Sequence, residues 1–166
     1  MIMKIIRKWE ENKHKLEEAI RKDTSLNTCE YIDLVKLVVT YILNGRNDDV
    51  YWHEDRWSTD YIMWIGSYSC QGALLFVIPK EIPGHGNQWK PRAITLDEYL
   101  ITYQYYGSCS ATDTLIAIQQ SVWDSPDYDG NDDRVPTEEQ VKDYMTLCRD
   151  LICHMTYIDE YDWSIR

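Results

Sequence analysis

EYLITYQYYGSCSATDTLIAIQQSV, residues 98–122, changes its periodicity in the middle. Up to Tyr106 the residues alternate, with Leu100, Thr102, Gln104 and Tyr106 on one side of an extended chain and Tyr99, Ile101, Tyr103 and Tyr105 on the other. A period of two predicts a strand, here with a tyrosine ladder along one face. Beyond Gly107, Leu115, Ile116, Ile118, Gln119 and Val122 recur at helical spacing instead. Ser110, Thr112 and Asp113 are the candidate N-caps. Short oxygen-bearing side chains accept the unpaired N–H groups of a first helical turn, and a carboxylate is favoured at its positive end. A strand that turns straight into a helix predicts mixed architecture.

The same reading extends in both directions. Residues 3–22 set Ile5, Ile6, Trp9, Leu16 and Ile20 among charges, the pattern of one helical face. Asp23, Thr24, Ser25 and Asn27 break the pattern, and residues 29–43 form a more apolar helix that stops at Asn44-Gly45. The β-branched run Val38-Val39-Thr40 leaves a strand as the competing reading there. Residues 46–59 read as a polar connection. Residues 61–65 and 73–78 are short apolar runs bounded by Gly66, Gly72 and Pro79, predicting buried strands, and the Pro/Gly-rich residues 80–95 predict a long loop. After an acidic loop at 124–133, Pro136-Thr137 opens a last helix whose stripe is Val141, Tyr144, Met145, Leu147, Cys148, Leu151, Ile152 and Met155. The expectation is a single α+β domain over 1–166. It has an N-terminal helical hairpin (1–45), a core (60–123) with a small antiparallel sheet of three to four strands, and two further helices packed on the sheet. The second of these helices is C-terminal (135–155), and an acidic tail (156–166) follows it.

The apolar content is unusual in kind: thirteen Tyr and seven Trp against one Phe. Tyr and Trp combine a large apolar body with a polar handle and suit half-buried or partner-binding surfaces. The formal net charge is -11, and residues 124–166 hold twelve acids and four bases. Such a chain is repelled by nucleic acid and anionic lipid and attracted by basic protein surfaces, so neither direct nucleic-acid binding nor membrane binding is expected. The five cysteines, at 29, 70, 109, 148 and 153, include no CxxC pair. The start, MIMKIIRKWEENKHK, has no apolar signal core, so a cytoplasmic setting with free thiols is the expectation.

Between about residues 60 and 162, some three fifths of the chain, the order of QGALLFVIP, YLITYQYYGSCSATDTL and PTEEQVKDYMTLCRDL resembles a group of small, uncharacterised proteins of bacteriophages and related mobile elements. The resemblance implies a phage origin, hence the cytoplasm of an infected bacterial host, and brings no established activity. The family pattern has a second cysteine where this chain has Thr112, so the C-x-x-C signature is absent. A metal or redox role resting on that pair is not implied.

Cys109 is the candidate for chemistry. A cysteine ahead of a helix N-terminus has its thiolate favoured, and Gly107, Ser108, Ser110 and Ala111 leave room for a substrate. A nucleophile also needs a positioned base, and His14, His53, His85 and His154 are scattered, so no catalytic residue is assigned beyond this weak candidate. Cys148 and Cys153 sit about 140° apart on helix geometry and cannot share an ion with His154, so no metal and no cofactor is expected. The loop DSPDYDGNDD has EF-hand character at Asp127, Asp129 and Gly130, but Pro136 stands where the bidentate Glu belongs. The feature weighed most for function is the acidic, aromatic C-terminal quarter. Asp124, Asp127, Tyr128, Asp129, Asp132, Asp133, Asp159, Glu160, Tyr161, Asp162 and Trp163 could present a phosphate-like charge row with aromatic anchors to a basic groove. The plainer account is solubility. Tyr51, Trp52, Trp57, Trp64 and Trp89 could instead line a groove for a small ligand, or pack the sheet. The expected function is a non-enzymatic, phage-encoded accessory protein that binds and inhibits a host protein with a basic surface, such as a nucleic-acid-handling or defence factor. The alternatives are a small thiol-dependent enzyme using Cys109, and a protein that sequesters a nucleotide-like ligand.

Overall fold

The computed structural model describes residues 2–45, 56–66, 69–81, 95–126, 128, 130 and 133–158. Its elements are α1 (Ile2–Lys22), α2 (Tyr31–Leu37, continuing as a π-helical segment Val38–Leu43), β1 (Met63–Gly66), β2 (Gly72–Pro79), β3 (Tyr99–Tyr106), α3 (Thr114–Trp123), α4 (Glu138–Cys153) and β4 (Thr156–Tyr157). The architecture is α+β, with an antiparallel sheet in the order β1-β2-β3-β4.

Helix α1 buries Ile5, Trp9, Leu16 and Ile20, while Ile6, read from the sequence as part of the same stripe, lies exposed. The end of the π-helical segment docks on the middle of α1. Lys8 Nζ donates to the Leu43 carbonyl at 2.7 Å and Lys15 Nζ to that of Gly45 at 2.8 Å. The last carbonyls of a helix lack intrahelical donors, and a cation is favoured at its negative end. The strand alternative for the β-branched run is not realised. Val38, Val39, Ile42 and Leu43 are all buried, and the backbone widens so that Asn44 N donates to Val39 O at 2.9 Å, five residues back. Burial against α1 outweighs the weak β preference of two valines. Gly45 then takes φ 68°, a left-handed conformation that glycine adopts without strain.

The sheet is built around β2 and β3, whose register runs from Gly72 opposite Tyr106 to Pro79 opposite Tyr99. Phe76, Ile78 and Leu100 project from the helix-facing side into the core with Leu147, Leu151 and Ile152 of α4. Each large apolar side chain so buried contributes about 1.5–3 kcal/mol. Two buried hydroxyls are paired: Thr102 Oγ1 donates to the Leu151 carbonyl at 2.6 Å, and Tyr144 Oη to that of Leu26 at 2.9 Å. Helix α4 begins later than its proline suggests. Thr137 is the N-cap, accepting from Gln140 N at 3.2 Å while Gln140 Oε1 accepts from Thr137 N at 2.9 Å. Pro136 therefore precedes the cap.

Two expectations need correction. Residues 156 and 157 were placed in the tail, yet Thr156 and Tyr157 pair with Ile101 and Leu100 as the fourth strand. The Tyr157 ring meets Trp57 edge-on at 5.8 Å, and this burial supplies what two residues of strand propensity could not. The first strand was read as buried, and it is not: Met63, Trp64 and Ile65 are all exposed. Among the described residues strand β1 has a neighbour on one side only.

Candidate interaction surface

The corner between β3 and α3 is held by one carboxylate. Asp113, only 5 % exposed, is the N-cap of α3: its Oδ1 accepts from Ile116 N at 3.1 Å and from the Tyr31 hydroxyl at 2.8 Å. Its Oδ2 accepts from Gly107 N at 3.0 Å, closing the turn on itself. Tyr31 Oη also accepts from Leu115 N at 3.3 Å, so the start of α2 and the start of α3 share one polar knot. Burial, and next the Asp113 carboxylate, push the Tyr31 phenol well above its ordinary pKa.

Cys109 lies on the outside of this corner, exposed. Its carbonyl accepts from the N–H groups of Thr112 and Asp113, both at 2.9 Å, and its sulfur lies 3.5 Å from Thr112 Oγ1. The Thr112 hydroxyl, and next the Ala111 N–H, lower the thiol pKa. No general base is brought to it by the two described histidines. His14 lies on α1, and His154 stacks on Tyr103 at 4.2 Å with Nδ1 3.2 Å from the Tyr103 carbonyl. Cys29 and Cys148 are buried, and burial pushes both thiols up, Cys29 to about 12.

Beneath the corner is a cleft of about 280 Å³. Its floor crosses three strands, from Tyr106 on β3 through Leu74 and Phe76 on β2 to Trp64 on β1; Ile32, Leu115 and Ile116 wall it, with Glu30 also on its lining. The register explains the floor, since Trp64 lies opposite Phe76 and Gly66 opposite Leu74, and directly opposed residues share a face. The polar side chains lining it inside are committed elsewhere. Gln119 Nε2 donates to the Leu26 and Cys29 carbonyls at 3.0 and 2.9 Å, and Asp113 is bound as above.

The other face of the sheet carries Met63, Ile65, Leu75, Val77, Ile101, Tyr103 and Tyr105. Tyr103 and Tyr105 meet edge-on at 5.7 Å, the ladder read from the sequence. At the β1 end this face is openly apolar, with Met63 53 % and Ile65 64 % exposed, and Trp64 on the cleft side of the same strand is 57 % exposed.

Of the acidic set, Asp124 and Asp133 are exposed, and Tyr128 is half-buried with the Arg134 guanidinium 5.8 Å above its ring. Asp127, Asp129, Asp132, Asp159, Glu160, Tyr161, Asp162 and Trp163 lie outside the described residues, as do Tyr51, Trp52 and Trp89. Trp57 is core, and Trp64 lines the cleft. Among the described residues no group of three His, Cys, Asp or Glu side chains could hold a metal ion. No described helix is long and apolar enough to cross a membrane.

The chain matches no family model, no curated protein and no solved structure. Its surface is therefore read from its own residues. Met63 and Ile65 were missed as surface residues because an apolar run predicts burial. The available signal was the brevity of the strand and the glycine that ends it.

Proposed function

We propose that this protein is a non-catalytic interaction protein that holds a partner on the β1 edge and the adjoining sheet face, with its negative charge selecting a basic partner. The observation that carries this reading is Met63-Trp64-Ile65, three consecutive apolar side chains each more than half exposed. Met63 and Ile65 are exposed on one face of this strand and Trp64 on the other, and apolar side chains exposed together along one strand mark a place that another molecule covers. The net charge of -11 repels nucleic acid and draws basic protein surfaces. Inhibition of a host nucleic-acid-handling or defence factor by a phage-encoded protein is the specific form of this reading, and the partner's basic groove is what it requires.

Capture from bacterial host lysate, at low and high salt, tests it. Three baits are needed: the wild type, a Met63→Lys/Ile65→Lys double variant, and an Asp124→Lys/Asp133→Lys reversal. The edge variant is expected to lose a protein that the wild type retains, and the reversal to weaken retention chiefly at low salt. Identical capture by all three baits would show the surface to be idle.

A thiol-dependent reaction at Cys109 is the second reading, favoured by its exposure and its lowered pKa. It needs a base that the described residues around the thiol do not supply, and so it ranks below the first.

A further inference from the structure

We infer that β1 receives an added strand from its partner, an extended segment whose apolar side chain enters the Trp64 cleft while a neighbouring Lys or Arg meets Glu30. This rests on the interaction reading above and specifies how the partner binds. Among the described residues β1 pairs with β2 alone, leaving its other edge open. An open edge presents unpaired N–H and C=O groups, and proteins commonly blunt it with lysine, proline or a bulge. Met63-Trp64-Ile65-Gly66 carries no charge and no proline, and its register with β2 runs unbroken over all four residues. The edge is only four residues long, but none of those residues opposes pairing.

The side chains on either side of that edge define the occupant. A strand laid along β1 sends alternate side chains to opposite faces. One set lies beside Met63 and Ile65. The other lies beside Trp64, where the cleft floor reaches the edge. The cleft volume, about 280 Å³, is just below the range of roughly 300–1,000 Å³ typical of small-molecule sites, so it suits a large side chain better than a whole cofactor. With Asp113 and Gln119 already hydrogen-bonded, the lining offers apolar contact, and that selects an apolar anchor. Glu30, exposed at the α2 N-cap, places a negative charge on the same lining and favours a cation beside the anchor. A second copy of the chain is disfavoured as occupant, because each copy brings a net charge of -11.

Panning the full-length protein against a random twelve-residue peptide library displayed on filamentous phage tests this directly. Selected peptides are expected to alternate apolar residues and to carry Lys or Arg next to the anchor. Trp64→Ala and Ile65→Asp, both at exposed positions, should weaken a selected peptide about tenfold or more, the scale of an interface hot spot. Gly66→Ala offers a separate check, since a Cβ there would lie 2.6 Å from Leu74 Cδ2 and displace that side chain within the cleft. Peptides N-methylated at alternate amides should split into one binding and one non-binding register. Failure to enrich any peptide, or binding indifferent to Trp64, Ile65 and N-methylation, would overturn strand addition. Loss of a lysate partner in the edge variant without any enriched peptide would retain the interaction surface and discard this mode of binding.

Discussion

The Tyr31 hydroxyl donates to Asp113 Oδ1 at 2.8 Å across 82 positions of sequence, and that hydroxyl also accepts from Leu115 N. Tyr31→Phe keeps the ring and removes both bonds, leaving a buried carboxylate oxygen and an amide one partner short. A loss of about 1–3 kcal/mol in urea unfolding is expected. Asp113→Ala should cost more, since it also releases Ile116 N and Gly107 N. In a double-mutant cycle the pair should be strongly non-additive.

Gly107 allows the corner to close. A Cβ at this position would run into the Thr112 side chain and come within 2.6 Å of the Thr112 carbonyl oxygen. Gly107→Ala is expected to lower the melting temperature sharply, by the equivalent of more than about 2 kcal/mol. Adding Thr112→Gly should rescue only part of that loss, because the carbonyl clash remains. Full rescue would mean the side chain alone sets the constraint.

Thiol labelling should sort the cysteines by position. With iodoacetamide in the native state, Cys109 is expected to react at lower pH than an ordinary thiol, while Cys29 and Cys148 stay protected until the chain unfolds. Thr112→Val removes the hydroxyl that contributes most to the lowered pKa, so it should move the Cys109 labelling curve upward. An unmoved curve would assign the effect to the Ala111 N–H instead. Mass mapping of the labelled peptides reads both results.

Alkali should unfold this protein early. Burial holds the Cys29 thiol and the phenols of Tyr31 and Tyr144 above their ordinary values, so each stays neutral in the folded chain at a pH where the unfolded chain has released the proton. The folded state then binds more protons than the unfolded one, and stability falls as pH rises. The Cys29 contribution is whole below about pH 9 and is lost as pH climbs through about 12. The phenols add theirs from about pH 10 upward. Melting temperatures measured from pH 7 to 11 should decline from about pH 9, and Cys29→Ala should delay the onset.

Much of the fold could be read from the chain where periodicity and capping chemistry agreed. The α4 stripe from Val141 to Met155 and the alternation of β3 are the clearest cases. Asp113 was among the candidate caps, but its bond to Tyr31 was hidden, because no local pattern links residues so far apart in sequence. Strand β4 escaped notice because Thr156 and Tyr157 pair only when Ile101 and Leu100 are already in place. At the surface, an apolar triplet such as Met63-Trp64-Ile65 reads alike whether it lies in the middle of a sheet or on its rim. Only the neighbour count tells them apart.

The π-helical segment is pinned at both ends: Tyr31 is tied to Asp113 at the start of the helix, and the Asn44 side chain clasps both Trp57 N and Trp57 O at 2.8 Å just beyond its end. Residues 31–44 therefore act as a spacer between two fixed contacts. Removing one residue from Val38–Leu43 would let the i→i−5 bonds relax to i→i−4 and leave Asn44 on about the same side of the axis, whereas adding one would swing it about 100° away from Trp57. Lineages of this protein should tolerate many exchanges of Val, Ile and Leu in this stretch, and the loss of one residue more readily than the gain of one.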